Sequence, residues 1–136
     1  MPDGGCFCGK CRITYSGEPK MKAVCHCLDC RKISGSTYST NVIIPEDGFE
    51  VTSGTPKTIS KTADGGETIT SFFCGDCGST MYRESGSFPG LKIVKAGVLD
   101  DVDALAEAKP DAELFAKTRV NWVQPVPGAD QKDTMS

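Results

Sequence analysis

The sequence predicts a small all-β domain. Its 136 residues suit a single domain, since domains commonly hold roughly 100–200 residues. Fifteen glycines and eight prolines favour many turns between short elements over a helical bundle. Several short stretches also alternate apolar and polar residues, which is the pattern of half-buried strands.

The predicted elements follow one another closely along the chain. In Cys11 to Ser16, Cys11, Ile13 and Tyr15 alternate with polar residues and share the predicted inner face. Further strands are predicted at 21–25, 38–44, 49–52, 57–62, 67–73, 79–84 and 91–98.

Little helix and several turns are predicted between these strands. One helical turn is predicted at 31–34, ended by Gly35, and one helix at 101–108, limited by Pro110. Asp64-Gly65-Gly66 predicts a hairpin turn.

No linker and no repeat of fixed period divides the chain, so we expect one domain at residues 1–124. Residues 125–136 are polar with further proline and glycine, and they predict a flexible tail.

Charge and hydropathy restrict the partners that we expect. The net charge of -3 and the pI of about 5.1 provide no basic field for a nucleic acid. No stretch approaches the roughly 20 apolar residues of a membrane span, and the start lacks a secretory pattern. We therefore expect a cytoplasmic protein with a small-molecule partner, bound to neither nucleic acid nor membrane; the oligomeric state is not predicted.

Eight cysteines in a reducing compartment need an explanation. Disulfides are the simpler interpretation, but the cysteines lie in tight clusters, and C-x-C neighbours rarely have the geometry of a disulfide. Metal binding is the better interpretation.

The first predicted metal site joins the two halves of the chain. Cys74-Gly75-Asp76-Cys77-Gly78 has the C-x-x-C spacing of a zinc knuckle, which supplies half of a four-thiolate site. Cys6-Phe7-Cys8-Gly9 is its expected partner, which gives a structural zinc site of Cys6, Cys8, Cys74 and Cys77. Cys8 and Cys11 are also spaced as C-x-x-C, so spacing alone leaves two choices. Because Cys11 lies on the predicted inner face, we interpret it as a buried apolar residue.

The second predicted site holds three thiols, Cys25, Cys27 and Cys30. Structural zinc usually takes four protein ligands, whereas reactive zinc commonly takes three and keeps an open position. The fourth position is left for water, His26, Cys11 or an incoming thiol. Adjacent ligands on one metal are awkward, so we expect His26 to point away or to hydrogen-bond a thiolate.

Arg31 and Lys32 follow this cluster directly. They either balance the charge of the sulfurs or hold a substrate carboxylate, for which arginine has a fitted fork. Tyr38, Asn41, Phe49 and Trp122 are candidate pocket walls or plain packing residues.

Three motifs in this order resemble the glutathione-dependent formaldehyde-activating enzyme and centromere protein V family. They are Gly4-Gly5-Cys6-Phe7-Cys8-Gly9, Cys25-His26-Cys27-Leu28-Asp29-Cys30-Arg31 and Phe73-Cys74-Gly75-Asp76-Cys77-Gly78. The resemblance implies a mainly β fold, an antiparallel β-tent domain with little helix and two zinc ions. It also implies a structural zinc on Cys6, Cys8, Cys74 and Cys77 and a catalytic zinc on Cys25, Cys27 and Cys30. At that second site, Arg31 and Lys32 are the candidates to orient the carboxylates of a thiol substrate.

The function implied by the resemblance is that of a carbon–sulfur lyase, which joins formaldehyde to glutathione reversibly. Two alternatives stay open. One is an enzyme of the same fold that acts on another small metabolite, and the other is a non-catalytic zinc scaffold that binds a partner. The acidic balance and short tails favour an enzyme.

Overall fold

A computed structural model describes residues 1–63 and 66–135 and has a mainly β fold, which confirms the predicted fold class. The strands are β1 (Asp3–Gly5), β2 (Arg12–Tyr15), β3 (Met21–Cys25), β4 (Ser39–Pro45), β5 (Phe49–Ser53), β6 (Lys57–Thr62), β7 (Thr68–Phe73), β8 (Thr80–Ser85), β9 (Leu91–Lys95), β10 (Ala112–Leu114) and β11 (Asp130–Gln131). Two short helices, α1 (Leu28–Ser34) and α2 (Ala104–Glu107), accompany them.

The strands form two sheets. A three-stranded sheet has the order β1-β2-β5, and an eight-stranded sheet has the order β11-β10-β3-β4-β9-β8-β7-β6. Neighbouring strands are antiparallel, except that β10 runs parallel to both β3 and β11. The predicted hairpin connects β6 to β7, which pair antiparallel; Asp64 and Gly65 themselves lie outside the described residues.

Two clusters of apolar side chains pack against the large sheet. Apolar side chains such as Ile44, Met81 and Val94 are fully buried and belong to one core cluster with Ile13 and Tyr15 of the small sheet. A second, smaller apolar cluster forms around β3, β10 and α1. Each group of cysteines therefore lies beside its own apolar cluster.

The helices differ in extent from the predicted ones. The turn predicted at 31–34 belongs to the seven-residue helix α1, which ends as expected at Gly35 with φ of 64°. The helix predicted at 101–108 shrinks to Ala104–Glu107, because the Asp101 carboxylate accepts a hydrogen bond from the Asp103 N–H and the chain forms a turn there. No helix in the described part of the chain is long and apolar enough to cross a membrane.

The segment predicted to be a flexible tail is attached to the large sheet in the structure. Its strand β11 pairs with β10, and the Glu113 carboxylate accepts hydrogen bonds from the Val126 N–H and the Gln131 amide, both at 2.7 Å. The other carboxylate oxygen of Glu113 lies 2.8 Å from His26 Nε2. One buried carboxylate thus connects the end of the chain to the residue between Cys25 and Cys27.

We expect the Glu113→Gln substitution to lower the free energy of unfolding by about 1–3 kcal/mol at pH 7, because a charged acceptor is lost inside the protein. Burial alone would raise the pKa of Glu113, but hydrogen bonds from Gln131, Val126 and His26 lower this pKa to about 2. The stabilisation is therefore complete above the unfolded-state pKa of about 4.3 and is lost as the pH falls towards 2.

Urea unfolding of the wild type and of Glu113→Gln between pH 7 and pH 3 measures this pH dependence. The difference in unfolding free energy should shrink on acidification, and a constant difference would contradict the charged role of Glu113. Glu107→Gln, on the exposed side of α2, is the matched control.

Candidate functional site

The first cysteine cluster is built by two turns. Cys6 and Cys8 lie between β1 and β2, where the Cys6 N–H donates to the Cys11 carbonyl at 3.0 Å. Cys74 and Cys77 follow β7 in a turn that closes with a hydrogen bond from the Gly78 N–H to the Cys74 carbonyl. Gly78 has φ of 80°, a conformation that side chains other than glycine rarely adopt.

The sulfur atoms of this cluster have the spacing of a metal site. The four Sγ atoms of Cys6, Cys8, Cys74 and Cys77 lie within 4.8 Å of one another. The Cys8 sulfur is 3.6 Å from that of Cys6 and 3.7 Å from that of Cys74. A tetrahedral zinc with bonds of about 2.3 Å places its sulfurs about 3.8 Å apart, so the donor set fits this ion. Cys11 is buried in the core and stands outside the set, as the sequence analysis expects.

The second cluster is local in sequence. Cys25 ends β3, Cys27 is the N-cap of α1, and Cys30 lies in the first turn of this helix, where its N–H donates to the Cys27 sulfur at 3.2 Å. The three Sγ atoms lie within 4.8 Å of one another. Cys25 and Cys30 are buried and Cys27 is half-buried, so the cluster is covered on one side only. Its soft donors suit zinc, with one ligand fewer than the first cluster.

Crowding of the thiols perturbs their ionisation. Hydrogen bonds with Cys27 and Cys30 raise the pKa of Cys25 far above its ordinary value. The reverse holds for Cys30, where hydrogen bonds from Cys25 and Cys27 lower the pKa. The Cys30 thiolate is thus stabilised by hydrogen bonds from the thiols of Cys25 and Cys27. All three can ionise together only if a cation neutralises their charge, which is the condition that a bound metal satisfies.

Two basic side chains lie near this cluster, the buried Arg83 and the half-buried Lys95. Strand register places Lys95 of β9 opposite Asn41 of β4, and Arg83 of β8 opposite Ser71 of β7. Directly opposite residues point to the same face of a sheet, and Cys25 reaches this face as the partner of Ser39. The sheet therefore carries a row of polar groups under the cluster.

Arg83 connects the sheet to helix α1. It donates from Nε to the Ser71 hydroxyl at 2.9 Å and from a terminal nitrogen to the Asp29 carboxylate at 2.6 Å. Its other terminal nitrogen is 3.9 Å from the Cys30 sulfur. Because Asp29 directly precedes Cys30, this ion pair fixes the turn that holds the third thiol.

Lys95 is the second cation, and it is half-buried. Its ammonium donates to Asn41 Oδ1 at 2.6 Å, while the Asn41 amide donates to the Ala23 carbonyl and the Ser39 hydroxyl. Burial lowers the pKa of Lys95 to about 8, against the opposing attraction of the Cys30 thiolate. Lys95 therefore keeps its charge at neutral pH.

A cleft of about 450 Å³ is lined by residues that adjoin both cysteine clusters. Ser39 is the cross-strand partner of Cys25, and Ser79 lies two residues after Cys77. The rest of the lining includes Tyr38, Lys95 and Leu105. This volume suits a small organic molecule. A larger groove of about 680 Å³ is lined by residues that include Met1, Tyr15 and Glu107, and among the described residues no cysteine lines either cavity.

His26 lies away from the thiols. It is fully buried, its Nε2 pairs with Glu113, and its ring lies 5.2 Å from the ring of Tyr38. Its Nδ1 has no hydrogen-bond partner in residues 1–63 and 66–135. Of the two expected orientations, the structure shows the one that points away.

Comparison with known families decides the identity of this arrangement. A model of the family described as "Glutathione-dependent formaldehyde-activating enzyme" matches residues 1–118, which contain both cysteine clusters. The chain belongs to the glutathione-dependent formaldehyde-activating enzyme family.

Individual relatives of this family member are distant. A Penicillium rubens protein, provisionally named a glutathione-dependent formaldehyde-activating enzyme, is 29% identical over 101 residues, which are 71% of this chain and 52% of that protein. The chain thus spans about half the length of this curated relative. A crystal structure of a Rhodobacter sphaeroides protein superposes with a TM-score of 0.58 at 16% identity, over 96% of this chain and 98% of that one. That likeness supports the fold alone.

The remaining residues singled out in the sequence take different places in this family member. Tyr38 lines the cleft and Asn41 anchors Lys95, whereas Phe49 packs on the Tyr82 ring at 4.5 Å and Trp122 is 70% exposed. Arg31 is half-buried and Lys32 exposed on α1, and the cleft is lined by the next residues of that helix, Ile33 and Ser34.

Sequence reasoning missed Arg83, Lys95 and Glu113. Arg83 and Lys95 stand in strand patterns without a motif, and only their register across the sheet brings them to the cluster. The charged residue inside an otherwise apolar run, as in Ala112-Glu113-Leu114, was the one available signal for Glu113.

We expect the Cys77→Ser substitution to reduce the bound divalent metal from about two ions per chain to about one, because three thiolates no longer close the first site. The melting temperature should fall with it, since metal affinity there contributes to folding. Elemental analysis of purified protein checks the metal content. Cys11→Ala is the matched control and should retain both ions; loss of one ion from Cys11→Ala would place Cys11 among the ligands.

Proposed function

We propose that this chain is a zinc-dependent enzyme of the carbon–sulfur lyase type, which joins the thiol of glutathione or a similar molecule to formaldehyde or a related carbonyl compound. The observation that carries the proposal is the difference between the two clusters, four sulfurs in one and three in the other. Membership of the family supports glutathione and formaldehyde as the substrate pair.

The first cluster suits a structural role. Its four thiolates would saturate a zinc ion, and they connect the N-terminal turn to the turn after β7. The second cluster suits chemistry. Cys25, Cys27 and Cys30 would hold a zinc ion with one ligand fewer than the first cluster, and such an ion would favour the thiolate form of an incoming thiol.

Protein groups around the second cluster orient the reactants. Cys27 lies on the exposed side of the cluster, while buried Cys25 and Cys30 anchor the cluster to β3 and α1. The ion pair of Arg83 with Asp29 holds the first turn of α1 in place. In the net reaction a sulfur–carbon bond forms and the carbonyl π bond breaks. The proton that leaves sulfur ends on oxygen.

Arg31 and Lys32 are proposed to bind the substrate's carboxylates. Both lie on the last turn of α1 and make no ion pair among the described residues, so their charges are available to an incoming molecule. Arginine presents two parallel donors to a carboxylate. A cytoplasmic location is part of the same proposal, because unoccupied thiols of this kind persist only where the compartment is reducing.

We expect Cys27→Ser to reduce the rate of S-hydroxymethylglutathione formation to that of the uncatalysed reaction, because two thiolates hold the second metal poorly. Exchange spectroscopy by NMR with glutathione and formaldehyde measures this rate. Cys11→Ala serves as the cysteine control and should keep its turnover. The metal at the first cluster should remain bound in Cys27→Ser. Full turnover by Cys27→Ser would show that the middle cluster is not the active centre.

Calorimetric titration separates thiol coordination from general affinity for the peptide. Reduced glutathione should bind the zinc-loaded protein, whereas S-methylglutathione should bind at least about 10-fold more weakly, because its sulfur carries no ionisable proton. Equal binding of the two would contradict the coordination of sulfur at the second cluster. Failure of both to bind would favour another small metabolite or a scaffold without catalysis.

A further inference from the structure

The ammonium group of Lys95 has more donors than acceptors around it. An ammonium carries three hydrogen-bond donors, and only the bond to Asn41 Oδ1 is present within residues 1–63 and 66–135. No carboxylate in the described part of the chain forms an ion pair with Lys95. Because Lys95 is half-buried and lines the cleft, its two remaining donors are open to a ligand or to solvent.

Asn41 holds this ammonium in a fixed place. The asparagine is buried, and its own amide is bonded to Ala23 and Ser39, so its oxygen is directed at Lys95. Fixed donors stabilise developing charge more effectively than mobile ones. The ammonium is thus held at one place in the cleft wall, where it can bind an anion.

Lys95 also lies between the cleft and the thiols. Its side chain lines the cleft of about 450 Å³ together with Ser39, the cross-strand partner of Cys25, and the charged groups that act on its ammonium are Cys30, Arg83, Cys25 and Cys27. A molecule whose sulfur meets the second cluster from this cleft would bring its neighbouring atoms towards the ammonium. Arg83, the other cation on this face, is already engaged by Asp29 and Ser71, which leaves Lys95 as the donor that faces the substrate.

We propose that Lys95 is a catalytic residue whose ammonium binds the oxygen of the carbonyl compound while the thiol sulfur adds to its carbon. This inference rests on the proposed function and adds Lys95 to it as a catalytic group. As the sulfur–carbon bond forms, the π electrons of the carbonyl move to oxygen, and Lys95 stabilises the resulting negative charge. The proton released from the thiol ends on that oxygen, and Lys95 remains protonated throughout. The same contact assists the reverse cleavage.

The test compares Lys95→Met with Lys92→Met. Both lysines lie on β9, but Lys92 pairs with Glu84 and lies outside the cleft lining, so it controls for the loss of a charge from the strand. Lys95→Met should lower the rate of adduct formation about 100-fold, the usual effect of removing an oxyanion donor, and Lys92→Met should leave it unchanged.

A second readout is independent of turnover. Thioglycolate has an anionic carboxylate oxygen, which lies one bond farther from its sulfur than the oxygen of the adduct does. Ethanethiol has no oxygen. Calorimetry with the zinc-loaded wild type should show thioglycolate binding about 10-fold tighter than ethanethiol, as a charge-assisted hydrogen bond provides. Lys95→Met should bind the two thiols equally, and Lys92→Met should behave as the wild type.

The outcomes separate the two proposals. A wild type that discriminates between the thiols but does not accelerate adduct formation would refute the formaldehyde reaction and keep Lys95 as an anion-binding group. Unchanged rate and unchanged discrimination in Lys95→Met would overturn the role of Lys95 and leave the proposed function standing. Metal content and the thermal melt verify that each variant is folded, and Lys95→Gln replaces Lys95→Met if the latter loses metal.

Discussion

Repulsion between closely spaced thiolates is the constraint on which the structure depends. Seven of the eight cysteines lie in two groups whose sulfurs are within 4.8 Å of one another. Beside apolar clusters, where the effective dielectric constant is low, such charges repel strongly. A divalent cation bound to each group would relieve this repulsion. Around the second group, Arg83 and Lys95 supply further positive charge from the sheet below.

The topology of the large sheet brings these charges together. Strands β4, β9, β8 and β7 are adjacent in the sheet although β4 lies far from the others in sequence. Their register places Asn41, Lys95, Arg83 and Ser71 on one face, and β3 adds Cys25 to the same face through its pairing with β4. The opposite face packs in the main core. The face that carries Cys25 also carries the second apolar cluster, because Ala112 and Leu114 of β10 pair with Ala23 and Cys25 of β3. Polar and apolar groups therefore lie side by side on this face.

Sequence patterns predicted the features that are encoded locally. Alternation located most strands, and cysteine spacing grouped the ligands, because both signals lie within a few residues. Several features escaped prediction for physical reasons. β10 has only three residues and all are buried, so it shows no alternation. The last segment, 125–135, has the composition of a loop and is held by contacts with Glu113 that no local pattern encodes. Lys95 acquires its role from cross-strand register alone.

The separation of the cysteines along the chain has a consequence for biosynthesis. Cys8 and Cys74 are 66 residues apart, whereas Cys25, Cys27 and Cys30 fall within six consecutive positions. On the ribosome, the three local thiols emerge together and form a complete donor set while most of the sheet is still unsynthesised. Cys6 and Cys8 can complete the four-thiol cluster only after Cys77 has left the exit tunnel. The donor set of the three-thiol cluster is therefore synthesised before that of the four-thiol cluster, and β8 to β11 still follow Cys77 in the chain.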